Sequence, residues 1–235
     1  MAQPWTAADA TSSKSTALSS TMTIKILTAR TPDQIEDAFW LRHQVYIVEE
    51  GRYGGVPLPA AKLTDRFDRL GGVRHILAYD RAQPVAAIRV NLETGHGLPP
   101  ETHFDFRPAI AELRMHEQQP GGRYLPASGS MLVIRRPWRR RYNILRALFR
   151  AATHCFQHWG ATHVILNSTP RLAPLYRHIG FRPIHEPLWI PEIGDHVVPM
   201  IGRVEDCGRH AFAQGGYIPQ LDHSPTFGRA GSKTL

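Results

Sequence analysis

Cysteine is scarce in this sequence, and long apolar runs are missing altogether. The 235 residues include two cysteines, Cys155 and Cys207, which cannot build a disulfide framework and form no paired Cys-x-x-Cys motif for a metal. No apolar run approaches the length of a membrane-spanning helix. The phosphate loop of nucleotide enzymes, the dinucleotide fingerprint and the serine-hydrolase elbow do not occur either. We therefore expect a protein of the reducing cytoplasm, with no metal site and no permanently bound cofactor.

The two ends of the chain differ in composition from its middle. Residues 1–22 are rich in Ser, Thr and Ala and have almost no hydrophobic period. They lack the basic start and continuous apolar block of a signal peptide, so we expect a disordered leader. Residues 211–235 are expected to form an irregular or disordered tail, which leaves a single folded domain over 23–210.

Positive charge is concentrated in one turn of the chain. The formal net charge is +8 and the isoelectric point is near 9.9, which indicates an anionic partner such as nucleic acid, anionic lipid or an acidic protein. Five arginines surround a proline and a tryptophan at this turn: Arg135, Arg136, Arg139, Arg140 and Arg141. Such a dense group favours one docking surface, although a solvated turn without a partner would look the same. A specific nucleic-acid module is not favoured, because the arginines follow a strand and precede an amphipathic core helix.

The arginine turn lies inside a regular succession of predicted elements between Ser128 and Phe181. A short apolar strand precedes it, and a helix follows whose apolar side chains recur at helical spacing: Leu145, Leu148, Phe149, Ala152, Cys155, Phe156 and Trp159. A β-rich run over 162–166 and a short helix before Gly180 complete the unit. The first amides of the long helix point at the arginine turn, so this place favours an anion such as the phosphate of a pantetheine arm.

Helices and strands are also expected on either side of this unit. Thr31 caps a helix that should run to about Val48, with Val48 among its inward-facing residues. Further expected elements are a β-hairpin over 75–79 and 85–92, a short helix over 108–115 and a closing strand over 196–204.

The unit from 128 to 181 resembles the core of the GNAT acyltransferase superfamily, with LYRHIGF where that family has its Tyr and Gly-Phe. The resemblance implies an α/β fold with a mixed, mostly antiparallel central sheet that is splayed in the middle and flanked by helices. It also implies that the backbone at Leu132 and Val133, at a bulge in the fourth strand, supplies an oxyanion donor. Tyr176 would then be an acid or a pantetheine contact, although from the residues alone it could equally be a tyrosine packed under the strand.

The first half of the chain resembles the N-acyl amino acid synthases and their relatives, the acyl-homoserine lactone synthases. The similarity lies in LRHQVYIVEEGRY, LTDRFDRLGG and HILAYDRAQPVAAIRV. The positions that match the families are Arg42, Tyr46, Asp65, Asp68 and Arg89. Two arginines and two aspartates in one place can form bidentate ion pairs and neutralise one another. They could therefore bind the amine and carboxylate of a substrate, or form a structural network that holds the first helix to the sheet. Arg42 and Tyr46 could also be a solvated arginine beside a half-buried tyrosine.

Two departures from these families bear on the chemistry. Residues 128–131 read Ser-Gly-Ser-Met where the family commonly has Glu-x-Ser-Arg, so only Ser130 fits and the candidate base is lost at Ser128. A water chain or another acid would then have to assist the deprotonation of the acceptor. WRRRYNI stands where GNAT enzymes carry a glycine-rich pyrophosphate loop, which points to an acyl carrier protein as donor in place of coenzyme A.

Together these features predict an N-acyltransferase that moves a medium or long fatty acyl group to the amine of an amino acid or similar small acceptor. The co-substrate would be an acyl-phosphopantetheine thioester on acyl carrier protein or coenzyme A, and the arginine turn would dock the carrier. That turn is also compatible with peripheral membrane contact. The alternatives are an acyl-homoserine lactone synthase, an ordinary acetyl-coenzyme A-dependent GNAT, a basic nucleic-acid-binding module and a catalytically dead partner subunit.

Overall fold

The computed structural model of the protein describes residues 24–54, 61–116 and 124–212, and an eight-stranded sheet forms its centre. The expected leader and nearly all of the expected tail lie outside the described residues. The strands are β1 (Ile24–Thr28), β2 (Val73–Asp80), β3 (Gln83–Leu92), β4 (Pro126–Ile134), β5 (His163–Ser168), β6 (Phe181–Pro183), β7 (Leu188–Ile190) and β8 (Asp195–Arg203). The α-helices are α1 (Pro32–Arg42), α2 (Arg107–His116), α3 (Tyr142–His158), α4 (Ala173–His178) and α5 (Val204–Phe212).

The sheet opens between its two central strands. The strand order is β1-β2-β3-β4-β5-β8-β6, and β7 pairs with β8 at one side. Every pair is antiparallel except β4 with β5. These two run parallel and pair only from Pro126↔His163 to Ser128↔Ile165, although β4 continues to Ile134 and β5 to Ser168. The predicted mixed, mostly antiparallel and splayed sheet is confirmed.

The helices cover both faces of the sheet. Helix α1 packs its buried Ala38 and Leu41 against β2, β3 and β4. Helix α3 covers the other face, where Ile144 and Leu148 join the main hydrophobic core, and α4 and α5 pack beside it. Burial raises the pKa of the Cys155 thiol to about 11, so this cysteine is a protonated core residue. None of the helices in the described ranges combines the length and the apolar character that crossing a bilayer requires.

The first helix has an irregular second half. Thr31 caps α1 through a reciprocal pair of hydrogen bonds with Gln34, as the sequence predicts. Beyond Arg42 the chain continues as a π-helix over His43–Glu49. A π-helix has more residues per turn than an α-helix, so the α-helical spacing no longer says which side chains face inward. The prediction that Val48 faces inward is wrong for this reason, because its side chain is 62% exposed.

Candidate active site

A bulge in β4 marks the place where the sheet begins to open. Between the pairs Ala87↔Val133 and Arg89↔Ser130, β3 has one residue and β4 has two. The extra residue in β4 is accommodated at Met131, whose φ is +51°, a conformation that costs free energy in any residue except glycine. The expected bulge in the fourth strand is therefore present at Met131 and Leu132, immediately before Val133, and the role of Leu132 and Val133 as oxyanion donors stays a prediction. A backbone forced out of its ladder in this way can point an amide at a bound group.

The π-helix places Tyr46 against this bulge. The Tyr46 hydroxyl donates a hydrogen bond of 2.9 Å to the carbonyl oxygen of Leu132. Burial raises the pKa of Tyr46, so the phenol stays protonated and remains a donor. Because this bond ties the carbonyl of the bulge to the first helix, Tyr46 helps to set the orientation of the neighbouring backbone. Tyr46 therefore contacts the bulge, whereas Arg42, four residues earlier, contacts Asp68.

Arg42, Asp65, Asp68 and Arg89 come together in one buried network. Arg42 Nη1 lies 2.9 Å from each carboxylate oxygen of Asp68. Arg89 donates from Nη1 to Asp65 at 2.6 Å and to Asp68 at 2.8 Å, and from Nη2 to Asp65 at 2.9 Å. Its Nε donates to the Ser130 hydroxyl at 3.0 Å, which joins the network to β4 just before the bulge. The alternative of a solvated Arg42 is wrong, because this side chain is 1% exposed.

The opposite charges of the arginines and aspartates offset the free-energy cost of burying them. Burial alone would raise the pKa of Asp68, but the charges of Arg42 and Arg89 outweigh it and hold the pKa below its usual value. Burial also acts to lower the pKa of Arg89, and the contacts with Asp65 and Asp68 raise it on balance. The Asp68 side chain is 2% exposed, whereas that of Asp65 is 30% exposed. Asp65 is therefore the carboxylate of the network that a substrate could reach.

His75 completes the buried end of the network. Its Nδ1 lies 3.0 Å from Arg42 Nη2. Burial and the charge of Arg42 lower the pKa of His75 to about 3, so the imidazole is neutral at physiological pH. Since arginine only donates, Nδ1 must be the acceptor and the ring proton lies on Nε2.

An apolar cavity of about 270 Å³ lies on the α3 face of the open sheet. It is lined by Ile88, Gly129, Leu145, Arg146, Phe149, Ala152, Thr153, Phe156, Val164, Leu166, Leu175, Tyr176, His178, Ile179, Phe181 and Cys207. Ile88 is the residue opposite the bulge, and Gly129 is in β4 just before it. The cavity therefore reaches the bulge from the face opposite α1.

Tyr176 forms part of the wall of this cavity. Its ring packs between those of Phe149 and Phe181, each with a centroid distance of 5.6 Å. Burial raises its pKa, so its hydroxyl stays protonated. Tyr176 is thus both a packed tyrosine and a cavity residue, and its role as an acid or pantetheine contact stays a prediction.

Three of the five arginines in the turn converge on Glu49, at the end of the π-helix. Arg139 Nη2 lies 2.8 Å from Glu49 Oε2, and the amide of Arg136 donates to the same oxygen at 3.0 Å. Arg135 Nε lies 3.8 Å from Glu49 Oε1, and its guanidinium stacks over the Trp40 ring at 5.2 Å. Part of the positive charge of the turn is therefore neutralised within the protein.

Two arginine side chains of the turn remain exposed to solvent. Arg140 is exposed and has no ion-pair partner among the residues that the structure describes, and the Arg136 side chain is also largely exposed. Arg141 precedes the first residue of α3 and makes no side-chain cap for it. A docking surface at this turn thus depends most on the exposed Arg136 and Arg140, and docking itself stays a prediction.

Comparison with known proteins identifies the family. The family model for "N-acyl amino acid synthase FeeM" matches residues 37–203. The chain belongs to the FeeM family of N-acyl amino acid synthases. It is accordingly an N-acyltransferase, as the sequence predicts. The matched range contains the ion-pair network, the bulge and every residue that lines the cavity except Cys207.

Individual relatives agree with this assignment. The curated protein "Uncharacterized N-acetyltransferase YjcF" of Bacillus subtilis (strain 168) is 25% identical over 183 residues, which are 78% of this chain and 100% of that protein. The solved structure of FeeM, an N-acyl amino acid synthase from uncultured soil microbes, has a TM-score of 0.62 at 12% identity, covering 79% of this chain and 93% of FeeM. BjaI, a CoA-dependent acyl-homoserine lactone synthase solved with SAM and isopentyl-CoA, has a TM-score of 0.59 at 14% identity, covering 81% of this chain and 89% of BjaI. At these identities the solved structures show a shared fold.

Some residues of the site were not found from the sequence. Glu49 meets Arg136 across 87 positions, and nothing in a helix-terminal glutamate signals such a partner. His75 could have been suspected only as the polar residue that begins the apolar run His75-Ile-Leu-Ala-Tyr79. Within the described ranges, no three His, Cys, Asp or Glu side chains are grouped as ligands for a metal ion.

Proposed function

We propose that this FeeM-family chain transfers a medium or long fatty acyl group from an acyl carrier protein thioester to the amine of an amino acid. The observation that supports this best is the apolar cavity of about 270 Å³ that reaches the β4 bulge. A cavity of this size is close to the lower end of small-molecule sites, roughly 300–1,000 Å³, and its walls are mostly apolar. It suits an alkyl chain whose thioester lies at the bulge.

The same geometry suggests how the reaction proceeds. The acceptor's ammonium group loses a proton to water, the free amine attacks the thioester carbonyl, and a backbone amide at Leu132 or Val133 stabilises the oxyanion. Collapse of the tetrahedral intermediate forms the amide bond and expels the pantetheine thiolate. Tyr176, protonated in the cavity wall, is our candidate to contact the pantetheine arm or to protonate the thiolate. Asp65, the exposed carboxylate of the network, is our candidate to receive the acceptor's ammonium group.

Chain-length preference tests the use of the cavity. With carrier-protein thioesters of increasing length and a panel of amino acids, kcat/KM should rise about fourfold per methylene until the cavity is full, since each buried methylene contributes about 0.8 kcal/mol. S-adenosylmethionine belongs in the panel because BjaI was solved with it. Thiol release and product mass are the readouts. A wild-type protein that acylates amino acids with no dependence on chain length would contradict the proposed pocket.

A substitution inside the cavity sharpens this test. Ala152 lines the cavity from α3, so Ala152→Phe should shift the optimum to shorter chains. Ala147→Phe is the matched control, because Ala147 is on the same helix and does not line the cavity. The two variants should differ in chain preference even if both lose stability.

The donor is tested by charge reversal. Arg140→Glu should raise the KM for the acyl carrier protein thioester about tenfold at low salt and much less at high salt, because steering between exposed charges is screened. The KM for the same acyl group on coenzyme A should change less. Arg69→Glu makes the same charge change at an exposed position outside the turn. Equal effects of both substitutions on the carrier protein would argue against the docking surface.

A further inference from the structure

Tyr53 has a backbone conformation that is unfavourable for an aromatic residue. Its φ is +55°, in the left-handed region that glycine adopts without penalty. It follows Gly51, with φ of +67°, and precedes Gly54, so glycine would have been the simple choice here too. Residues with a strained backbone of this kind tend to occur at active sites and ligand-binding sites, where the position of the side chain matters for function.

Contacts from two directions hold Tyr53 in this conformation. Its amide donates to the carbonyl of Ile193, in the turn between β7 and β8, at 3.0 Å. The preceding residue, Arg52, donates its amide to the Tyr46 carbonyl at 2.7 Å and pairs its guanidinium with Asp195 at 2.9 Å. The segment is thereby fixed between the π-helix and the β7–β8 turn.

The side chain of Tyr53 lies close to the candidate active site. Its ring centroid is 5.7 Å from that of Tyr46, whose hydroxyl holds the Leu132 carbonyl at the bulge. Burial raises its pKa, while charges at Arg52, Asp65 and Arg89 act on it as well. The Tyr53 phenol is thus a protonated donor beside the tyrosine that holds the backbone of the bulge.

We propose that Tyr53 is an acceptor-binding residue, whose ring closes the acceptor side of the site and whose hydroxyl donates a hydrogen bond to the acceptor amino acid. This rests on the proposed function, because it assumes that the acceptor amine is received at Asp65. The strained backbone is then the consequence of pointing a large donor from a short connecting segment into the space between Asp65 and the bulge.

Two substitutions separate the parts of this proposal. Tyr53→Phe removes the hydroxyl and should raise the KM for the amino acid about threefold to tenfold, the effect of one neutral hydrogen bond. Tyr53→Gly also removes the ring and its packing on Tyr46 but relieves the left-handed strain, so the acceptor KM should rise more than about tenfold while Tm changes little. The KM for a carrier-protein thioester should stay within about twofold of wild type in both.

Arg81→Gly is the control for strain alone. Arg81 is exposed in the β2–β3 turn with a φ of +57°, so this change relieves a similar conformation without touching the acceptor side. It should leave the acceptor KM unchanged. The assignment of Tyr53 is overturned if Tyr53→Gly has the acceptor KM of Arg81→Gly, or if it raises donor and acceptor KM together while lowering Tm. A wild-type protein that releases no thiol from any thioester with any acceptor would instead refute the proposed function itself.

Discussion

Replacing Asp68 with Asn tests whether the buried network is the scaffold that holds the first helix to the sheet. The substitution keeps the size of the side chain and one acceptor oxygen but removes its charge. Arg42, 1% exposed, then has only uncharged hydrogen-bond acceptors, the new amide oxygen at position 68 and His75, while Arg89 retains Asp65. Leaving a buried guanidinium without its counter-charge costs about 3–5 kcal/mol. Since domains of this kind are stable by about 5–15 kcal/mol, the variant should lose a large part of its stability.

Asp65→Asn is the matched control for this experiment. Asparagine still caps the short turn that Asp65 begins, and Arg89 keeps Asp68 and Ser130 as partners. Because the Asp65 side chain is also 30% exposed, its loss should cost only about 1–2 kcal/mol. Urea unfolding followed by circular dichroism at pH 7 measures both variants on one scale.

The pH dependence provides a second readout. Arg42 and Arg89 lower the pKa of Asp68 in the folded protein, so its contribution is complete above the unfolded pKa of about 3.9 and disappears as the pH falls through the folded value. The difference between wild type and Asp68→Asn should therefore shrink at strongly acidic pH. If Asp68→Asn is no less stable than Asp65→Asn at pH 7, the buried network is not the scaffold that holds the first helix to the sheet.

Two further predictions concern the neighbours of the network. Between pH 7 and pH 5 the wild type should lose about 2 kcal/mol through His75, because the unfolded ring gains its proton near pH 6.5 whereas burial and Arg42 keep the folded pKa at about 3. In His75→Asn this part of the pH slope should vanish in urea titrations, and an unchanged slope would contradict a neutral buried His75. Tyr46→Phe removes the 2.9 Å bond to the Leu132 carbonyl and should lower kcat about tenfold with little change in either KM, as steady-state kinetics would show. A wild-type kcat would mean that the bulge holds its geometry without this bond.

The site divides into parts with different physical tasks. The buried arginines and Asp68 have almost all of their charge compensated inside the protein, so they suit a scaffold better than direct substrate binding. The Asp65 side chain is 30% exposed and remains open to solvent. The scaffold alternative therefore suits Arg42, Asp68 and Arg89, whereas substrate contact at Asp65 stays a prediction.

The basic turn shows a similar division. Glu49 holds Arg136 and Arg139 through hydrogen bonds of 3.0 and 2.8 Å, which fixes the turn that connects β4 to α3. Arg140 remains exposed without such a restraint. The count of five arginines thus overstates the charge that this turn presents to a partner.

Much of the architecture could be predicted from local patterns. The apolar period of α3, the cap at Thr31 and the β-rich run of β5 are properties of neighbouring residues, and the structure has all three elements. The resemblance to known families also placed the bulge at Leu132, since a motif records where such a distortion occurs. Helix α5 was not predicted: Glu205 and Asp206 in its first turn favour a helix start, but Gly208 within it disfavours a helix.

The amino-acid sequence by itself determined the order of the elements, the basic turn and the residues of the ion-pair network, because each is written in local spacing or in a recognisable motif. Only the tertiary structure decided which partners meet: Tyr46 with the Leu132 carbonyl 86 positions away, Glu49 with the arginines of the turn, and Arg42 with Asp68 inside the core. These contacts depend on the strand register and on the π-helix that rotates the end of the first helix. Hydrophobic periodicity contains no information about either, since it reports which face of an element is buried and not what lies opposite it.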